Sequence, residues 1–274
     1  MTRAIAVLLL ALCLSATAAE PLLGRIVYRT HRLVSDSVYA MDADGRDHLR
    51  IEGPSDAGPP RWSPDGMRVA VGHQTFDAGG FGDRPASPDD TILDWSRDGQ
   101  WFAVAVKGRG EHYGVGKVRV DGSDFEALTE LAFSHVPKAE WSPDGSQLLV
   151  TEPFGRFSAA LYLLDAATGD LAPLLNPGVA DRGAHWSPGG ESVYYVARSR
   201  AMGGLRRMDL ADRSVHEVNP GWQLRSLFAV SPDGAYLLAE REGFWDGLTY
   251  MGIYDLNGEV VLELDSDFEA RAPI

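Results

Sequence analysis

The chain has 274 residues, 45% hydrophobic and 23% charged, a balance that argues against disorder over most of its length. Its formal net charge of −14 repels phosphate backbones and argues against nucleic-acid binding. One cysteine, Cys13, rules out a disulfide framework and a cysteine-based zinc site.

At the N-terminus, Met1-Thr2-Arg3 carries one positive charge, Ala4 to Leu14 is an unbroken apolar run, and Ser15 to Ala19 are small residues. This order reads as a secretory signal peptide over residues 1–19, cut after Ala18 or Ala19, that delivers a domain of residues 20–274 to the periplasm or the medium. The apolar run is shorter than the ~20 residues that cross a bilayer, so no membrane-spanning segment is expected. An N-terminal strand or a membrane anchor is the competing interpretation. Leu12, standing where a lipoprotein signal needs a small residue before Cys13, argues against lipidation. Residues 1–19 contain Arg3 and no acid, so the processed chain has 24 basic and 39 acidic residues, a net charge of −15, and no cysteine. Such a surface favours solubility and basic partners.

Val38 to Gly45 (VYAMDADG) reads as a first outer hairpin, two apolar stretches meeting at an Asp-Gly turn. A five-residue unit then begins with Trp62-Ser63-Pro64-Asp65-Gly66. It returns at Trp95-Ser-Arg-Asp-Gly99, Trp141-Ser-Pro-Asp-Gly145, Trp186-Ser-Pro-Gly-Gly190 and Val230-Ser-Pro-Asp-Gly234. The start-to-start spacings are 33, 46, 45 and 44 residues. After each copy comes an apolar strand, such as Trp101 to Ala105 or Gln147 to Thr151. Later in each unit comes a second hairpin, as in Val118 to Ser123, Leu161 to Gly169, Leu205 to Asp212 and Gly252 to Gly258. The short second unit, with Gly79-Gly80-Phe81-Gly82, leaves little room for a full outer hairpin. Ala270 to Ile274 looks like the stretch that precedes a motif, Pro273 matching Pro60.

The unit has a mechanical meaning. Ser, Pro, Asp and Gly fit the four positions of a type I turn, and Gly supplies the left-handed backbone that lets the hairpin continue. The tryptophans Trp62, Trp95, Trp141 and Trp186 end the preceding strand and offer large apolar faces to wedge between layers. A period of about 40–45 residues with two alternating hairpins predicts an all-β fold. The expectation is a β-propeller of six blades, each a four-stranded antiparallel sheet, closed by pairing of the N- and C-terminal strands. In that closure Ala270 to Ile274 completes the first blade and leaves few exposed edges. A five-bladed ring is the alternative, because the second unit is short.

These repeats, with the Met41-Asp-Ala-Asp-Gly45 hairpin, resemble the TolB-type propeller repeat, the WD-like Pro-Asp repeat, from about residue 25 to the end. The motif departs from its pattern at Arg97, Gly189 and Val230. The resemblance implies a periplasmic protein-interaction module, since TolB links the Tol system to a peptidoglycan-associated lipoprotein through its propeller. TolB carries an α/β domain ahead of the propeller, and here the repeat starts directly after the leader. Similar repeats accompany the hydrolase domain of prolyl-oligopeptidase-like peptidases, which this reading does not find after the propeller.

Sites for chemistry are sparse. The sequence shows neither a Gly-x-Ser-x-Gly elbow nor a P-loop nor a His-Glu-x-x-His motif. Gly108 to Gly114 is Gly-rich without a dinucleotide spacing and reads as a loop. Asp42 to Asp47 echoes a calcium loop but lacks the terminal Glu, so it reads as a hairpin turn. The positions directly before the motifs are Arg61, Asp94, Glu140, His185 and Ala229, with Lys138 two residues from Glu140 on the same side of its strand. In a propeller, Arg61, Asp94, Lys138, Glu140 and His185 converge on the central channel, as a lining that binds a charged ligand or as a satisfied ring of ion pairs. The expected function is a non-enzymatic, monomeric scaffold that uses no cofactor and binds an envelope protein or glycan. The alternative is a polysaccharide lyase or hydrolase built on His185, Glu140 and Asp94.

Overall fold

The computed structural model describes residues 7–11, 25–31, 36–42, 49–51, 60–77, 82–85, 91–108, 110, 112–130, 132–154, 158–197, 204–218, 224–231, 233–242 and 249–264. Every regular element among them is a strand, and each hydrogen-bonded pair of strands is antiparallel. The first sheet contains β1 (Val7–Ala11), β2 (Arg25–His31), β3 (Asp36–Asp42) and β4 (Leu49–Ile51), in that order. The second contains β5 (Arg61–Trp62), β6 (Arg68–Val71), β7 (Gln74–Asp77) and β8 (Gly82–Pro85). The third contains β9 (Thr91–Trp95), β10 (Trp101–Lys107), β11 (Tyr113–Arg119) and β12 (Glu126–Ala127). The fourth has seven strands: β13 (Lys138–Trp141), β14 (Gln147–Phe154), β15 (Ser158–Asp165), β16 (Leu171–Trp186), β17 (Ser192–Ala197), β18 (Gly204–Asp209) and β19 (Val215–Glu217). The fifth contains β20 (Leu224–Val230), β21 (Tyr236–Glu242), β22 (Thr249–Asp255) and β23 (Val260–Leu264).

The described residues therefore form five sheets, where the repeat predicts six separate ones. The difference comes from β16. Its first half pairs with β15 (Leu171 with Leu164) and its last residues pair with β17 (Trp186 with Val193), so one strand belongs to two consecutive repeats. The short second unit keeps four strands after all, because a turn of only Gly72 and His73 joins β6 to β7. The inner position of the first sheet is held by β1, from the segment whose sequence reads as an export leader. The expected pairing of Ala270 to Ile274 with that sheet lies outside the described residues.

The turn chemistry is the same in each repeat. Ser142 Oγ donates to Asp144 Oδ1 at 2.6 Å and accepts the Gln147 N–H at 2.9 Å. Asp144 Oδ1 also accepts the Ser146 N–H at 3.0 Å, and Gly145 closes the turn by donating to Ser142 O at 2.9 Å. Where Gly189 replaces the aspartate, Ser187 still accepts the Ser192 N–H at 3.1 Å and the Gly190 N–H still closes the turn at 2.9 Å. Serine is thus the part the turn cannot lose, and it is buried in all five copies.

The motif glycines have positive φ, 74° at Gly145 and 81° at Gly190. A Cβ at Gly145 meets nothing within 4 Å, so Gly145→Ala costs only left-handed strain, about 1–2 kcal/mol. At Gly190 the same Cβ lies 3.2 Å from Cδ of Pro143, the motif proline of the preceding repeat. Urea unfolding is expected to rank Gly190→Ala below Gly145→Ala in stability; the reverse order contradicts this packing of proline on glycine.

Tryptophan fills the space between sheets. Trp141 packs with Leu93 and Val115 of the third sheet and Leu148 and Leu164 of the fourth. Trp95 packs with Ala70 of the second sheet and lies edge-on to Phe102 at 4.6 Å. The inner strands also pack side by side. β1 touches β5 and β20, β9 touches β5 and β13, and β16 touches β20.

Candidate functional site

The expected site residues all fall on inner strands: Arg61 on β5, Asp94 on β9, Lys138 and Glu140 on β13, and His185 on β16. Period-two alternation puts Lys138 and Glu140 on one side of β13. Four of the five join neighbouring repeats. Arg61 is buried, and its Nε donates to Leu93 O at 2.6 Å and pairs with Asp94 Oδ1 at 3.7 Å. Asp94 Oδ2 accepts the Trp141 backbone N–H at 2.8 Å. Glu140 Oε1 accepts the Trp186 backbone N–H at 3.2 Å, and its Oε2 meets His185 Nδ1 at 2.8 Å. Trp186 closes the contact from its side, its indole N–H donating to Glu140 O at 3.0 Å. Lys138 stands exposed two residues before Glu140.

Each carboxylate therefore accepts the backbone N–H of the motif tryptophan one repeat further on. The residue just before the terminal tryptophan of an inner strand carries the acid, and the tryptophan that ends the next inner strand presents its N–H to it. An inner strand has a hydrogen-bonded partner on one side only, so this N–H needs an acceptor from elsewhere. The arrangement is a belt that fastens one repeat to the next.

Electrostatics follow from that burial. The side chain of Asp94 is 17% exposed, and desolvation pushes its pKa up to about 6. The Arg61 charge and the Trp141 N–H pull it down, while the Glu140 charge adds to the rise.

Three clusters escaped the sequence reasoning. Glu152, 5% exposed, accepts the Ser134 N–H at 3.2 Å and the Tyr162 hydroxyl at 3.4 Å. Burial and the Glu152 charge together hold the Tyr162 hydroxyl above its ordinary pKa. The sequence signal was an acid within the apolar strand QLLVTEPF. Trp101 is flanked by Arg119 at 4.6 Å and Lys117 at 5.5 Å from its ring centroid, a pattern of alternate residues on β11. Asp209 accepts from Ser192 Oγ at 2.7 Å and lies 3.3 Å from His216 Nε2, which also meets Ser214 Oγ at 3.2 Å. Both His216 contacts use one ring nitrogen, whereas a hydrolase triad bridges its acid and nucleophile with two. Among the described residues, no three His, Cys, Asp or Glu side chains come together as a metal site. Of the Gly-rich stretch at residues 108–114, Tyr113 and Gly114 open β11, and just before them Gly108 N–H donates to His112 O at 2.8 Å. The hairpin expected over Asp42 to Asp47 lies outside the described residues beyond Asp42.

The crystal structure of TolB from Acinetobacter baumannii is similar over 86% of this chain, with a TM-score of 0.66 and 17% identity. The chain spans 62% of the length of that protein. A putative TolB from Agrobacterium tumefaciens matches over 84% of this chain and 89% of its own, with a TM-score of 0.63 and 16% identity. The fold is that of the TolB propellers. An oligogalacturonate lyase in complex with manganese also shares this TolB-like propeller, over 91% of this chain and 79% of its own, with a TM-score of 0.61 and 9% identity. At such identities the likeness carries the fold alone. No protein-family model matches the sequence, and no curated protein does. In the described part of the TolB-like propeller, no helix is long and apolar enough to cross a membrane.

Proposed function

We propose that this chain is a non-enzymatic binding scaffold of the bacterial cell envelope: a six-bladed TolB-like propeller, exported by its leader to the periplasm, that holds a protein or glycan partner as a monomer. The six-blade count is supported by the seven-stranded sheet, which divides at β16 into two four-stranded units. The single observation that carries the scaffold reading is the belt. The two carboxylates that a catalytic channel would need, Asp94 and Glu140, bond instead to neighbouring repeats, as does Arg61 beside them. Glu140 has one oxygen on Trp186 and the other on His185. Groups held this way stiffen a ring and leave recognition to surface loops.

A second reading has one observation in its favour. His185 is oriented by Glu140, as a general base would be, and oligogalacturonate lyases share the fold. One experiment separates the two. The processed protein, immobilised and challenged with solubilised envelope, is expected to retain a defined partner that excess free propeller competes away. Incubated with oligogalacturonate, with and without Mn²⁺, it is expected to release no unsaturated product. Product release together with no competable partner overturns the scaffold reading in favour of the lyase.

A further inference from the structure

The outer strand of a propeller sheet leaves a row of backbone N–H and C=O groups open to another chain, and proteins guard such edges by keeping them short or placing proline on them. Among the described residues, every outer strand but one carries such a guard. β4 and β19 have three residues and β12 has two. β8 has four and ends in Pro85, and the outer half of β16 contains Pro173. β23 has neither guard. It runs for five residues, Val260–Leu264 (VVLEL), without proline, lysine or arginine. It ends the fifth sheet and pairs with β22 on one side, and among the described residues no strand pairs with its other side. The register shifts between Ile253 and Tyr254, which makes Val261 the extra residue of a bulge. The bulge does not hide the apolar side chains: Val260 and Val261 are 44% and 42% exposed, beside a half-buried Leu262.

Charge selects the occupant. Asp255 and Glu259 lead into β23 and Glu263 lies within it, with no Lys or Arg from 255 to 264. Glu259 is exposed. A second copy of the chain brings the same acids and a net charge of −14, so self-pairing along this edge sets acid against acid. We propose that β23 is a strand-acceptor site for an extended segment of a partner protein in which lysine or arginine alternates with apolar residues. The backbone of the segment pairs with the outward N–H and C=O groups of β23 and adds a strand to the fifth sheet. Its apolar side chains cover Val260 and Val261, and its basic ones answer Glu259. The inference rests on the scaffold reading and names the class of partner.

The probe is a short peptide of alternating lysine and valine, blocked at both ends and titrated onto the purified protein by fluorescence anisotropy. Binding is expected to saturate below about 1 mM, and a proline at the centre of the peptide is expected to weaken it roughly tenfold, because one ladder hydrogen bond is lost and the strand is bent. The double variant Val260→Lys/Val261→Lys is expected to weaken it by roughly tenfold or more, since lysine on an edge repels a basic strand. In hydrogen exchange the peptide is expected to slow the amides of β23 and leave those of β19 unchanged. No binding by about 1 mM, binding indifferent to both the proline and the lysines, or unchanged exchange in β23 overturns the site. A dimer that the double variant abolishes overturns the choice of occupant. Should the double variant fail to fold, the exchange measurement on the parent decides. The scaffold reading is tested apart. An envelope partner retained equally by parent and double variant leaves that reading standing and overturns β23 as its site. Peptide capture at β23 with no envelope partner retained upholds the site and overturns the scaffold reading.

Discussion

Trp186→Ala is expected to lower the melting temperature by about 10 °C, among the largest effects of any single substitution in the chain. Trp186 is 5% exposed and packs with Leu149, Leu161, Val193 and Met208, residues contributed by two consecutive repeats. Truncating a buried tryptophan costs about 3–5 kcal/mol, and in a domain of this size each kcal/mol moves the midpoint by about 2–4 °C. The indole N–H also bonds to Glu140 O at 3.0 Å, so the truncation leaves that carbonyl without its donor. Trp186→Phe keeps most of the apolar contact and loses only the hydrogen bond, so it should fall between the parent and the alanine variant. Thermal unfolding followed by near-UV circular dichroism checks both; a shift below about 2 °C for Trp186→Ala contradicts the wedge.

Asp94→Asn is expected to make the protein more stable at neutral pH. The folded protein raises the Asp94 pKa from 3.8 to about 6, so the folded state binds this proton more tightly than the unfolded state does. The contribution of Asp94 is therefore most favourable below about pH 4 and is lost as the pH rises to about 6. Two pKa units set a ceiling of about 3 kcal/mol, and partial exposure and the orphaned Arg61 charge reduce it, so a gain of about 1–2 kcal/mol is expected at pH 7. The amide oxygen of the variant can still accept the Trp141 N–H. The turn aspartates run the other way: hydrogen bonds from Ser63 and Ser142 hold Asp65 and Asp144 below their ordinary values. Their contributions are present above about pH 4 and fade on acidification in parent and variant alike. The difference between parent and Asp94→Asn in urea unfolding at pH 4, 5, 6 and 7 isolates the belt carboxylate. A gain that is flat across this range contradicts a buried charge at Asp94.

The repeat made much of this molecule legible. Trp95, Trp141 and Trp186 are wedges because a large apolar residue recurs at blade spacing, and the turns around Ser63, Ser96, Ser142 and Ser231 follow from residues that favour one turn type. The outer hairpins at Asp121-Gly122 and Asp165 to Gly169 were readable for the same reason. What the sequence did not reveal depends on lengths and on neighbours. The run-through of β16 was hidden, because Asn176-Pro177-Gly178 reads as a break and the strand passes it. At the site, the sequence identified Arg61, Asp94, Glu140 and His185 but not their partners. Arg61, Asp94 and Glu140 each reach the backbone of an adjacent repeat, 32 residues away for Arg61 and Leu93, 47 for Asp94 and Trp141, and 46 for Glu140 and Trp186, while His185 meets the Glu140 carboxylate 45 residues away. Glu152 was passed over because its solvation by Ser134 comes from a loop that joins two repeats.

The most direct measurement on the belt is native-state hydrogen exchange at the backbone amides of Trp141 and Trp186. Both amides are expected to be protected in the parent protein; Asp94→Ala is expected to speed exchange at Trp141 with little effect at Trp186, and Glu140→Ala to do the opposite. Rates at both amides that are indifferent to either substitution would show that these carboxylates do not fasten the repeats together.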